Sequence, residues 1–519
     1  MSFKLKDVLL VGFLALVTTW TFEYLFLNKK SVENHELRPG QVFTASDKPL
    51  DIRPLDTEVD FLDDQISHRI PIETEIVETD TSRLTFTNQG ATLDRLEFKR
   101  MTTGRATILT TIYPPSEMNR EDRCFLVALE EKTPFNYVKK ERIDEPEYIV
   151  LTYQAPMING VITKTFKIYK NTYQMDMDLA ITVNDQTQSY RPRIFFPAPI
   201  LPDIRKEDVV SGIVMNDRGV LEITPSTKLG AKQGWFSPTL FGVQDKYFVH
   251  VLIKDAQHFI QRAYYYHSNA ALLFAIVEGP SQTDSMNWKF SFYFGPKESH
   301  AVAAVDPRLE QTLEHAGIFA PLSRWLLALL FFLFSYLGNY GVAIIVLTIL
   351  IRLILWPFAL KGTRAMKNGK AEEMQRKLKY IELKYKDDPE RLMRERAAIF
   401  RAQGSMMVSG CLPLLLQLPV MYALNRALAS SIVLYGASFL WISDLSASDP
   451  YMILPALIML AMLLQSLYVD KQQRPMLMIM AFILGAFSTS WSAGLALYWA
   501  MSTLIGVGQS FLQQKMRLL

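Results

Sequence analysis

Cysteine is nearly absent: the 519-residue chain has two, Cys124 and Cys411. One falls in a polar region and the other in an apolar run. That placement argues against a disulfide between them, and neither belongs to a CxxC pair. The seven histidines all precede residue 316, without an HxxxH or HExxH spacing among them. His250, His258 and His267 therefore read as surface or strand-edge residues rather than metal ligands. There is no nucleophile elbow and no phosphate loop. A net charge of +3 leaves no basic excess for general nucleic-acid binding. No cofactor, metal or specific nucleic acid is expected.

Apolar residues are plentiful, at 49%, and unevenly spread. They concentrate in the first 27 residues and after residue 320, with a polar region between them. That order reads as membrane anchor, soluble domain, membrane bundle. Val8–Leu27 follows Lys4 and Lys6 and lacks a small-x-small cleavage site, so residues 1–30 are read as an uncleaved anchor with its N-terminus in the cytoplasm. Residues 31–70, acidic and broken by Pro39, Pro49 and Pro54, read as an extended linker.

From about 70 to 305 the period is two, and 71–315 is taken as one soluble domain. Ile162, Lys164, Phe166 and Ile168 alternate with polar neighbours. After Lys170-Asn171-Thr172, Tyr173, Met175, Met177, Leu179, Ile181 and Val183 share a face. That is a β-hairpin with one buried side. Similar alternation at Arg83–Thr87 and Asp245–Ile253 predicts a large β-sandwich.

Gly341–Leu360 is a 20-residue apolar run holding one charge, Arg352. Its length suits a membrane span, and a buried arginine there costs roughly 2.5–3.5 kcal/mol. The guanidinium therefore faces something wet or negative, or else snorkels to the cytoplasmic head groups. Thr348, four residues earlier, shares its helix face.

Residues 316–338 contain an uncharged stretch, Trp325–Leu337, too short for a span. It is placed along the outer membrane surface. Residues 361–403 carry 13 Lys+Arg against 7 Asp+Glu, which marks them as cytoplasmic. With the soluble domain outside, one crossing must lie between them.

A cytoplasmic helical hairpin is expected over 361–404. Met374, Leu378, Ile381 and Tyr385 form an apolar stripe, and Asp388-Pro389 starts a second helix whose stripe is Met393, Ala397 and Phe400. Its charged faces suit lipid head groups or a partner such as a ribosome. Further spans follow at Ser405–Leu428 and Tyr451–Val469. The run Met476–Phe511, divided by a turn at 488–494, supplies two short ones of about 16 residues. Six crossings put both termini in the cytoplasm, and the short spans should thin the bilayer.

The five later spans hold no Asp, Glu, Lys or His, which disfavours pumps and intramembrane proteases. Their polar inventory is Arg352, Thr348, Gln417, Asn425, Gln465 and the hydroxyls of 488–492. Those groups suit a hydrated groove better than an active site. For Gln417 an interhelical hydrogen bond is the competing reading. For the whole chain the competitors are a membrane-anchored carbohydrate-binding or carbohydrate-modifying protein using the β domain, and a substrate-specific transporter.

Three stretches carry a resemblance. They are Gly338-Asn339-Tyr340-Gly341 leading to Arg352 and Trp356-Pro357; Cys411-Leu412-Pro413 through Gln417-Leu418-Pro419; and Gly494-Leu495-Ala496-Leu497-Tyr498-Trp499 with Gln513-Gln514. Here the chain resembles the YidC/Oxa/Alb insertases, in the Gram-negative form with a large periplasmic domain. The resemblance implies a six-span α-helical membrane protein: one anchor, and a five-helix insertase core over 339–519. It implies an all-β supersandwich in the periplasm, and an inner-membrane location. It also implies a hydrophilic groove open to cytoplasm and lipid, with Arg352, Thr348, Gln417, Trp499 and Tyr498 facing substrate. Expected partners are nascent membrane proteins, the Sec translocon, the ribosome and membrane lipids. Departures include Trp499 where a tyrosine is common, and a very short tail after Gln514.

Overall fold

The computed structural model describes residues 53–62, and residues 71–518 apart from 113–119, 200–209, 314–319, 397–419 and shorter gaps. The anchor, most of the 31–70 segment, Phe400 and Gln417 lie outside the described residues. Two compact units form, one ending at Leu313 and one beginning at Glu314.

The first unit is built on a nine-stranded antiparallel sheet. Across it run Leu221–Pro225, Ser211–Met215, Leu240–Gln244, Phe248–Asp255, Met286–Pro296, Gln174–Val183, Gly160–Tyr169, Tyr148–Met157 and Val138–Asp144. The predicted hairpin is there, with Ile162 opposite Ile181 and Phe166 opposite Met177. Its inward residues are buried in strict alternation. Each large apolar side chain so covered contributes about 1.5–3 kcal/mol.

A five-stranded sheet (Gly234–Phe236, Arg262–His267, Leu273–Glu278, Arg193–Pro197, Leu126–Ala128) packs on the first. Phe196 meets Phe292 edge-on at 5.6 Å, and the Tyr265 hydroxyl donates to the Gly242 carbonyl at 2.9 Å. A four-stranded sheet (Thr74–Glu78, Ser82–Thr87, Thr92–Thr102, Arg105–Ile112) adds Phe86 against Phe166 and Phe98 stacked on Phe248. The sheets make the β-sandwich that the alternation predicts.

Lys164 occupies an inward position and is fully buried. Its ammonium donates to the carbonyls of Gly90 at 2.6 Å and Phe125 at 2.8 Å, and lies 5.0 Å from the Tyr137 ring centre. Burial holds its pKa well below the usual lysine range. Gly90, Ala91 and Phe125 all have positive φ, so one ammonium gathers the carbonyls of two tight bends.

The 31–70 segment needs correction where it is described. Residues 53–62 do not hang free but lie as a strap on the five-stranded sheet. Leu55, Val59 and Phe61 pack among Leu126, Phe195, Tyr264 and Ile276. Arg193 donates to the Asp56 and Glu58 carbonyls at 2.8 and 2.9 Å, and Arg262 donates to the Arg53 carbonyl at 2.6 Å. The strap explains why Arg193–Pro197 and Leu273–Glu278 are buried throughout rather than alternately.

His250 also departs from expectation. It is fully buried, stacked on Phe294 at 4.3 Å, with Nδ1 2.8 Å from the Pro197 carbonyl. Loss of hydration pushes its pKa from 6.5 down to about 4. A histidine depressed in the fold is protonated more readily once unfolded. Its contribution is therefore complete above about pH 6.5 and lost as pH falls toward 4. Urea midpoints from about pH 7.5 to about pH 5 should show a loss of roughly 2 kcal/mol that a His250→Phe variant lacks. Equal pH slopes in the two proteins would refute this.

The second unit is helical. Helix α1, Ser299–Val305, closes the β unit, and the second unit opens with α2, Ala320–Leu337. Gly338, at φ +65, ends α2. The Asn339 side chain then accepts from the Val342 amide at 3.2 Å and caps α3, Tyr340–Lys367. A side chain on Gly341 would meet the Phe439 ring at 2.1 Å. Close approach is thus the reason for the second glycine of Gly-Asn-Tyr-Gly.

There follow α4 (Lys370–Lys384), α5 (residues 389–396), α6 (residues 420–428), α7 (Ile453–Ser466), α8 (Arg474–Phe487) and α9 (Ala493–Leu518). Their core is Ala343, Ile344, Leu347, Leu424, Ile458, Ala496 and their neighbours.

Two lengths differ from expectation. Helix α7 has 14 residues, because Asp449 accepts from the Tyr451 and Leu454 amides and fixes a late start. Helix α9 has 26 residues. Gln513, Gln514, Lys515, Met516 and Arg517 are good helix formers and carry it past the apolar stretch. It therefore rises about 39 Å, more than a bilayer core of ~30 Å, whereas α7 and α8 at about 21 Å fall short. The expected turn at 488–494 is present, with Ser488, Thr489 and Ser490 hydroxyls bonding back to the last carbonyls of α8.

Candidate functional site: the Arg352 seat

Arg352 lies just past the middle of the apolar run of α3, and its side chain reaches α9. Its Nε donates to the Ser502 hydroxyl at 2.7 Å. Gly506 lies one turn further along α9. A Cβ there would stand 3.4 Å from Gln465 Nε2 of α7 and 3.9 Å from Arg352 Nη2. The guanidinium of α3 thus meets α9, and Gln465 of α7 approaches α9 at the same glycine. Tyr498, Ser502 and Gly506 follow at spacings of four, so α9 offers them on one face. That spacing is visible in the sequence, yet Ser502 and Gly506 are absent from the sequence-based site.

The other expected groove residues are placed differently. Thr348 is fully buried, and its hydroxyl bonds back to the Ile344 carbonyl at 2.6 Å. It shares the Arg352 face but spends its donor on its own helix. Tyr498 is buried in the helical core. Trp499 is half-buried, edge-on to Trp491 at 5.6 Å, and its buried indole N–H lacks a partner among the described residues. The Trp356 indole N–H is in the same condition.

A second arginine, Arg426, sits on α6 and was missing from the polar inventory of the spans. Its guanidinium lies 5.7 Å from the Tyr422 ring centre.

In the charged segment, Asp388 accepts from the Arg391 amide at 3.1 Å and caps α5. An Arg396–Glu382 ion pair at 3.2 Å ties α5 back to α4. Leu378 and Ile381 are half-buried on α4, which also bears Met374, and Tyr385 is half-buried just past its end. Met393 does not continue the stripe: it is 76% exposed, and Leu392 takes the covered position beside it. Among the described residues no cluster of His, Cys, Asp or Glu could hold a metal.

The family model for the 60Kd inner membrane protein matches residues 332–518, and that for the YidC periplasmic domain matches 215–329. A membrane protein insertase YidC of Campylobacter jejuni is 28% identical over 72% of this chain and 69% of its own. The YidC of Geobacter metallireducens is 27% identical over 83% of this chain and 84% of its own. Among solved structures, an active YidC insertase with its first transmembrane domain resolved covers 84% of this chain and 93% of its own, at 17% identity and a TM-score of 0.35. One model takes the helical unit that seats Arg352 and the other the later strands of the β unit, so the chain belongs to the YidC family of inner-membrane protein insertases.

Proposed function

We propose that this insertase moves short polar segments of nascent inner-membrane proteins outward along a hydrated groove centred on Arg352. The single observation that carries the reading is the guanidinium held between α3 and α9 in an otherwise uncharged apolar stretch. A cation there keeps water in the inner leaflet and lowers the desolvation cost of a hydrophilic tail. It also attracts acidic residues on that tail. Burial of the substrate's apolar helix in lipid then drives release, at about 25 cal/mol per Å². No bond is made or broken.

The same reading assigns residues 1–30 to an anchor, 31–70 to the connecting segment, 71–315 to the periplasmic domain, 316–338 to an interfacial helix and 339–519 to the insertase core. It gives six crossings with both termini cytoplasmic. Substrate contacts fall to Arg352, Gln417 and Trp499, with Thr348 and Tyr498, both buried, as groove positions that support them. The 361–404 hairpin recruits substrate through its apolar residues, Met374, Leu378, Ile381, Tyr385, Met393 and Phe400, and meets lipid head groups with its charges. The Sec translocon and the ribosome are proposed companions.

The test is reconstitution of the purified chain in liposomes with a single-span substrate bearing an acidic N-terminal tail. Arg352→Ala should slow insertion by about tenfold, the equivalent of ~1.4 kcal/mol, and should affect a neutral tail much less. Deleting 371–403 should weaken insertion of both. Unchanged insertion by the Ala variant would remove the attraction step, and unchanged insertion by the deletion would remove the recruiting role.

A further inference from the structure

An arginine can meet a carboxylate in two ways. The side-on mode uses Nε and one Nη, while the end-on mode uses both Nη groups. In this chain the Nε–H is engaged by Ser502 at 2.7 Å, and Ser502 is itself buried in the helical unit. Gly506 lies beside Nη2: a Cβ there would stand 3.9 Å from that nitrogen, at ordinary van der Waals contact. Gln465 reaches the same point from α7.

We infer that Ser502 is a positioning residue that fixes the orientation of Arg352, so that acidic groups of the substrate are received end-on, through the two Nη nitrogens that its hydroxyl leaves unengaged. Held this way, the guanidinium cannot swing its Nε edge toward the substrate without losing its bond to α9. The hydroxyl therefore sets how strongly the site distinguishes acidic tails from neutral ones, rather than how well the bundle holds together. This inference rests on the groove reading above and adds the group that aims the cation.

The experiment uses the full chain in liposomes and two single-span substrates, one with an aspartate-containing N-terminal tail and one with asparagine at the same positions. The readout is the ratio of their insertion rates. Thr and Val at 502 are nearly isosteric and differ in the hydroxyl. Ser502→Thr should keep the wild-type ratio. Ser502→Val and Ser502→Ala should cut it about three- to tenfold, by slowing the acidic-tailed substrate more than the neutral one. Arg352→Ala is run beside them.

If Arg352→Ala leaves the ratio intact, the groove reading fails, and this inference fails with it. If Arg352→Ala abolishes the ratio while Val and Thr at 502 behave alike, the groove reading stands and the positioning role is overturned. Equal slowing of both substrates by Val and Ala would also overturn it, because that is the signature of a packing defect.

Discussion

Glu278→Ala is expected to destabilise the β unit by about 3–5 kcal/mol, the usual cost of removing one partner from a buried ion pair. Glu278 is 1% exposed and receives Arg262 at 2.8 Å, Arg53 at 3.0 Å and Arg191 at 3.9 Å, with the Tyr264 hydroxyl at 3.3 Å. Without the carboxylate, cations at the strap junction lose the charge that holds them together. Arg53 and the carbonyls of the strap then lose their anchor as well, since Arg262 bonds both Glu278 and the Arg53 and Pro54 carbonyls. For a unit of this size the loss corresponds to a melting temperature lower by roughly 6–20 °C. A Glu278→Met/Arg262→Met double variant should recover part of it, because an apolar pair replaces two charges instead of orphaning one. A drop of less than about 2 °C in the single variant would show that the arginines find other partners, and that the strap is held by its apolar contacts alone.

The strap also marks where sequence reasoning stops. The hairpin at 160–183 is legible because each strand keeps a strict period of two, and the inward set is apolar apart from Lys164. Residues 53–62 have no such period. Their attachment is made by main-chain carbonyls, which every sequence possesses, and by arginines more than 130 positions away. A proline-containing acidic stretch looks like a linker for that reason. His250 is misplaced for a related reason. Alternation places it on a face, but the second sheet covering that face comes from strands whose continuous apolar runs show no preferred side.

In the helical unit, composition fixes the existence of elements better than their ends. The capping carboxylate of Asp449 shortens α7, and the polar but helix-favouring tail lengthens α9. Neither effect registers in a count of apolar residues. Arg352 is conspicuous because a charge in hydrocarbon is costly. Its partners are inconspicuous, being a serine and a glycine of the kind that pack many helix pairs. Only the packing of α3 against α9 shows that these small residues lie beside the guanidinium.

The larger functional effect is expected from reversing the charge. Arg352→Glu should lower insertion of an acidic-tailed substrate by about a hundredfold or more. That change stacks loss of attraction, roughly tenfold, on active repulsion of similar size. A simple reversal of preference toward basic tails is expected only in liposomes without a membrane potential. Across an energised membrane, moving one positive charge outward opposes the field at about 2.3 kcal/mol per 100 mV, while an acidic residue gains the same amount. The variant should therefore favour basic tails when the potential is collapsed and lose that preference when it is imposed, whereas the parent should favour acidic tails in both conditions. Should the Glu variant insert acidic tails as the Ala variant does, the cation acts by keeping the groove hydrated and not by drawing charge toward it. The Ser502 seat would then matter for holding water in place, and the tail's own charge would be read by the membrane potential alone.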